Sequence, residues 1–164
     1  MPAYATPEWL EAVASVYRGN PDNQNKHFKG LSMVISFRIL AEPNFGLDKD
    51  IYFGFHIEDG VLQDDTAFIS AEEAKEKSNF IVSAPPERWK KILQKKEGFV
   101  ANFMTGKVKL DQGSTVKFIP LGAKAPALVD NFYQVETQWP DEMNAEEMES
   151  YKAKVKAFRE EIGV

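Results

Sequence analysis

No cysteine occurs anywhere in the chain of 164 residues, which removes disulfides, thiolate nucleophiles and every zinc site built on sulfur. The two histidines, His27 and His56, stand in none of the HxxxH, HxH or HExxH spacings that hold a metal. Glycines never gather into GxGxxG or GxxxxGK, so a phosphate cradle has no support, and no serine sits in a GxSxG context. No apolar run approaches the roughly 20 residues that span a bilayer. The opening Met1-Pro2-Ala3-Tyr4 lacks a basic n-region and an apolar h-region, which predicts a cytoplasmic protein without a leader. A basic excess is missing too: the net charge is −5, with lysines scattered among glutamates, and nucleic acid is not an expected partner.

The remaining candidates for chemistry are few. Asp64-Asp65 and Asp48-Lys49-Asp50 are paired carboxylates at turns, where solvation and capping explain them. His56 alternates onto the strand face opposite the phenylalanines, a partly exposed polar position. An enzymatic reading would need His56 and a carboxylate as general acid and base, with nothing nearby to bind a leaving group. The expectation is no catalytic residue, no metal and no cofactor.

What the sequence does contain is apolar pattern. Thr6-Pro7-Glu8 supplies a capping residue, a proline at the first helical position and an acid at the positive end of the dipole. Trp9, Leu10, Val13, Val16 and Tyr17 follow at helical spacing until Gly19-Asn20-Pro21. Met33, Ile35, Phe37 and Ile39 then alternate as a strand, and Ile51, Phe53, Phe55 and Ile57 as a second. Asp59-Gly60 is a hairpin signal returning an antiparallel third strand from Val61 to about Ile69. Ser70-Ala71-Glu72-Glu73 reads as a capping box, Phe80 to Ser83 as a strand and Pro86 onward as an amphipathic helix carrying Trp89, Ile92 and Leu93. Phe99 to Met104 is a short helix, Lys107 to Leu110 a strand, and Val116 to Tyr133 a helical pair broken by Pro120, Gly122 and Pro126. Thr137 to Asp141 reads as a linker before a final amphipathic helix from Asn144 to Ile162. This is one α+β domain over residues 1–136, with linker and C-terminal helix over 137–164 packed on it.

The broken helix matters because prolines, glycine and alanines cannot fill space as Leu or Phe would, so a sheet covered by them leaves a void. An apolar void accepts a hydrophobic guest, gaining about 0.8 kcal/mol per buried methylene. The residues expected to line it are Phe53, Phe55, Trp89, Phe99, Phe103, Leu121, Leu128 and Phe132, with Lys107 or Lys109 either near a ligand head group or solvated.

The run Phe103-Met104-Thr105-Gly106-Lys107-Val108-Lys109-Leu110, with Gly113 after an inserted Gln112, and Phe80-Ile81-Val82-Ser83 leading into Pro86-Glu87-Arg88-Trp89, resemble the sterol carrier protein two family over about residues 8 to 135. The resemblance implies a five-stranded, mainly antiparallel sheet covered by helices and enclosing a hydrophobic tunnel for sterols, fatty acids, acyl-CoA or phospholipids. It implies a stand-alone, non-enzymatic binding and transfer protein. Two departures stand out: Pro120 lies inside the segment after the last strand, and the C-terminal helix lies beyond the family core, as a lid, a clasp or a dimer arm. Transient membrane contact is compatible with this reading. The alternative is an accessory subunit with a filled core that docks to a lipid- or acyl-metabolising partner.

Overall fold

Alternation of large apolar and small polar residues builds the centre of the molecule, a mixed sheet in a computed structural model that describes residues 1–164. Strands β1 (Met33–Ile39), β2 (Ile51–Glu58), β3 (Val61–Leu62), β4 (Ala67–Ile69), β5 (Phe80–Ala84) and β6 (Lys109–Gln112) run in the order β3-β2-β1-β5-β6, with β4 also on β2. All pairings are antiparallel except β1 with β5. The sheet therefore has six strands, not five. The expected third strand is split: Leu62 faces Ile57 but Phe68 faces Phe53. Seven residues of one edge, Leu62 to Phe68, thus oppose five of the other, Phe53 to Ile57, and Asp64-Asp65 fall in the gap.

The inner face carries Ile35, Phe37 and Ile39 of β1 beside Phe53, Phe55 and Ile57 of β2, all buried. Helices α1 (Pro7–Gly19), α3 (Pro86–Leu93), α6 (Ala125–Tyr133) and α7 (Ala145–Ile162) pack against that face. Thr6 caps α1 by accepting from the Trp9 amide at 3.4 Å, and Pro7 occupies its first position. Helix α7 opens with a full capping box, Asn144 with Glu147. Its apolar face is spent on the protein's own core: Tyr151 donates to the Tyr4 carbonyl at 2.7 Å, and Phe158 packs on Phe68 at 5.2 Å. The short helix α2 (Ala71–Lys77) is the exception to one-sided cover. It lies against the opposite face, where Ser78 at its end hydrogen-bonds the buried Ser36 at 2.6 Å.

Three local features depart from the sequence pattern. The polar loop after α1 contains a π-helical turn, Asn23–His27. The segment Thr137–Asp141 is tied down: Tyr4 donates to the Gln138 carbonyl at 3.0 Å, Thr137 accepts from the Trp9 indole at 3.2 Å, and Trp139 is buried. The strand expected from Lys107 begins at Lys109 and contains a bulge, because Val82 faces Leu110 while Ile81 faces Gln112. Asp111 is the surplus residue, which absorbs the one-residue insertion before Gly113. Gly113 itself has φ +111°, and a Cβ there would lie 2.5 Å from the Phe80 ring, so only glycine fits.

Candidate functional site, an apolar cavity beneath a broken helix

The segment after β6 never forms a continuous helix. It runs as α5 (Thr115–Phe118), a 3-10 stretch Ile119–Lys124 and then α6, with Pro120, Gly122 and Pro126 preventing regular α-helical propagation. The 3-10 stretch contains no buried residue. Beneath it and α6 lies a cavity of about 60 Å³, lined by 20 residues of which 18 are hydrophobic. The floor is the inner face of β1 and β2, one wall is α3 with Trp89 and Ile92, and the roof is Leu121, Gly122, Ala125, Leu128 and Val129.

Six of the eight residues expected at a ligand site come together here: Phe53, Trp89, Phe99, Leu121, Leu128 and Phe132. Phe55 and Phe103 do not reach the lining. Phe55 is fully buried between Tyr17 and Phe132, with ring centroids at 5.8 and 5.9 Å. Phe103 packs edge-on against Phe118 at 5.3 Å, supporting the wall from behind. Lys107 and Lys109 are exposed and line nothing in the cavity. Sequence patterning missed Tyr4 and Phe28, whose places depend on how the N-terminus and the π-helical turn fold back.

The rings around Phe132 form a connected group. Trp9, Phe37 and Phe55 lie 5.5, 6.1 and 5.9 Å from its centroid. Such offset and edge contacts add about 0.5–1.5 kcal/mol per pair beyond area burial. The roof is held by polar ties at its margins. Buried Asn23 donates to Asn131 at 3.0 Å, Lys124 donates to the His27 carbonyl at 3.0 Å, and Lys95 pairs with Asp130 at 2.6 Å while lying 4.4 Å over the Tyr133 ring. The Lys95 hydrogen bond holds the Asp130 carboxyl below its ordinary range.

The titratable groups lie elsewhere. On the opposite face of the sheet, Arg38 bridges Asp50 at 2.7 Å and Asp111 at 3.1 Å, and Ser83 donates to Asp111. His56 sits on that face too, with Nδ1 2.7 Å from Asp65 and Nε2 2.8 Å from Glu58. Burial pushes the imidazole pKa down, but the two carboxylates outweigh it and the net shift is upward. Both ring nitrogens are engaged, so base chemistry would first require a carboxylate to leave. No cluster of three or more His, Cys, Asp or Glu is arranged to hold a metal ion. No helix is long and apolar enough to cross a membrane.

No protein-family model and no curated protein matches the chain. Solved structures do match it. Sterol carrier protein 2 superposes with TM-score 0.68 at 18% identity, covering 79% of this chain and 97% of its own. A conserved hypothetical protein of Thermus thermophilus, possibly a sterol carrier protein, gives TM-score 0.70 at 16% identity, covering 81% and 90%. Sterol carrier protein 2 from Yarrowia lipolytica in its apo form gives 0.50 at 14%, covering 77% and 90%. The chain has the sterol carrier protein 2 fold.

Proposed function

We propose that the protein is a non-enzymatic, cytoplasmic carrier that binds a hydrophobic ligand, such as a fatty acid, acyl-CoA, phospholipid or sterol-like molecule, beneath the broken helix and transfers it. The observation that carries this reading is the near-exclusively apolar cavity, roofed by α6 and by a 3-10 stretch without one buried residue. Aromatic and aliphatic walls offer a guest no specific polar partner, which suits selection by shape and chain length.

The cavity volume sets the mechanism. About 60 Å³ is small beside the several hundred Å³ typical of small-molecule sites. A long chain therefore enters only if the roof moves outward. Movement of the 3-10 stretch exposes little core, because it buries little. The site is Phe53, Trp89, Phe99, Leu121, Leu128 and Phe132, while Phe55 and Phe103 support it from the second layer.

The same small volume favours one other reading, an accessory subunit with a filled core that docks to a lipid- or acyl-metabolising partner. Titration with a fluorescent fatty acid, together with native mass spectrometry of freshly purified protein, separates the two. Copurified lipid or saturable uptake at one site is expected of the carrier. An empty protein with no uptake overturns the carrier and favours the accessory subunit.

A further inference from the structure

Four of the chain's exposed large hydrophobic side chains lie within twenty residues of one another: Val116 is 81% exposed, Met104 73%, Ile119 59% and Val100 46%. They form one ridge. Helix α4 (Phe99–Met104) turns Phe99 and Phe103 inward onto Phe118, at 6.1 and 5.3 Å, which leaves Val100 and Met104, four residues apart, on its outer side. Phe118 in turn faces inward between Val116 and Ile119, which therefore flank the same junction. The ridge meets the cavity roof directly, because the Val100 side chain lies against the Cα of Gly122, where an added Cβ would be 3.1 Å away. All four remain 46–81% exposed, and neighbouring apolar side chains left open to solvent mark a contact site.

Charge identifies what it contacts. Residues 86–124 carry nine Lys and Arg against Glu87, Glu97 and Asp111, a surplus of +6 in a chain whose net charge is −5. The other residues therefore total −11. Of the nine cations Arg88 is paired with Glu97, Lys90 with Asp141 and Glu142, and Lys95 with Asp130, while Asp111 is paired with Arg38 from outside the segment. Lys117, next to Val116, and Lys107, three residues after Met104, are exposed and have no carboxylate partner. Apolar side chains flanked by free lysines on an otherwise acidic protein match a negatively charged lipid surface, which takes the former into the headgroup boundary and attracts the latter.

We infer that the ridge of Val100, Met104, Val116 and Ile119 docks the protein on an anionic bilayer, lysines at the headgroups, with the cavity roof facing the lipid. The docking surface rests on the carrier reading for its purpose: a roof segment held against the membrane by its own outer side chains exchanges its guest without exposing it to water.

The test is sedimentation of the full chain with phosphatidylcholine vesicles, with and without about a third phosphatidylglycerol. Binding at least about fivefold stronger to the anionic vesicles, falling as salt screens the lysines, is expected. Met104→Asp with Val116→Asp, at exposed positions outside both the cavity lining and the 3-10 roof, should lower it about tenfold while uptake of a fluorescent fatty acid in vesicle-free solution is unchanged. Lys107→Glu with Lys117→Glu should abolish the preference for anionic lipid. Equal binding by wild type and the Asp variant overturns the inference. So does a wild type that takes up fatty acid yet ignores both vesicles, or one whose ridge proves to be a dimer contact, dissociated by the Asp variant. Loss of fatty-acid uptake with vesicle binding intact would instead overturn the carrier reading and leave the docking surface standing.

Discussion

The Asn23 side chain donates to the Asn131 side-chain oxygen at 3.0 Å, both residues buried and 108 positions apart. This one hydrogen bond ties the π-helical turn to the helix that roofs the cavity. Asn23 also donates to the Tyr17 carbonyl, and Asn131 to that of Ala127, so neither amide is idle. Asn131→Ala strips the buried Asn23 amide of one acceptor, and a cost of about 1–3 kcal/mol is expected in the denaturant midpoint. If the tie restrains the roof, faster uptake of a hydrophobic fluorophore accompanies that loss. A destabilised variant with an unchanged uptake rate would show that the roof opens elsewhere.

Phe132, on the roof helix, is the keystone of the aromatic cluster that joins roof to floor. Truncation, Phe132→Ala, is expected to cost about 3–5 kcal/mol and to enlarge the cavity. The enlarged site should bind a short apolar ligand more tightly even as the melting temperature falls, a combination that simple unfolding does not give. Calorimetric titration of the folded variant measures it.

Acid should strengthen the hydrogen bonds at His56. Its folded pKa lies above the unfolded value of about 6.5. The stabilisation is therefore fully present below about pH 6.5 and is lost as pH rises through the raised folded value. Because Glu58 and Asp65 are more than half exposed, the effect is under about 1 kcal/mol. His56→Gln should lower thermal stability at about pH 5.5 and leave it almost unchanged at about pH 8.5. An equal deficit at both pH values would place the contribution in packing instead.

Gly60 makes a turn and also a junction. It has φ +78°, and a Cβ would lie 2.9 Å from the carbonyl oxygens of both Gln24 and Phe28. Its own carbonyl accepts from Tyr17 at 2.8 Å, a phenol whose pKa burial pushes up to about 12 and so keeps as a donor. Gly60→Ala should cost more than the roughly 1 kcal/mol of a turn glycine alone. Chemical denaturation measures the difference, and a cost below that value would mean the π-helical turn yields.

Much of this fold was legible in the chain because the signals are local. The Thr6-Pro7 cap, the alternation through Phe37 and Phe53, the Asp59-Gly60 turn and the start of the last helix at Asn144 each depend on residues within a turn or a strand of one another, and each stands where the pattern put it. The split of the third strand was not legible, since both halves alternate and only their partner on β2 reveals the slip. Nor was the tethering of Thr137–Asp141, which depends on the N-terminal segment and Trp9.

The candidate site divides in the same way. Sequence alone determined which side chains are oily and that Pro120, Gly122 and Pro126 would break the helix above them. Whether Phe55 and Phe103 face a void or one another's neighbours is a matter of packing among elements far apart in the chain. Only the tertiary structure decided that Phe132 and Tyr17 bury Phe55 completely, that Phe118 claims Phe103, and that the space left over is about 60 Å³. Cavity volume is the small difference between large filled volumes, and no periodicity along a chain encodes it.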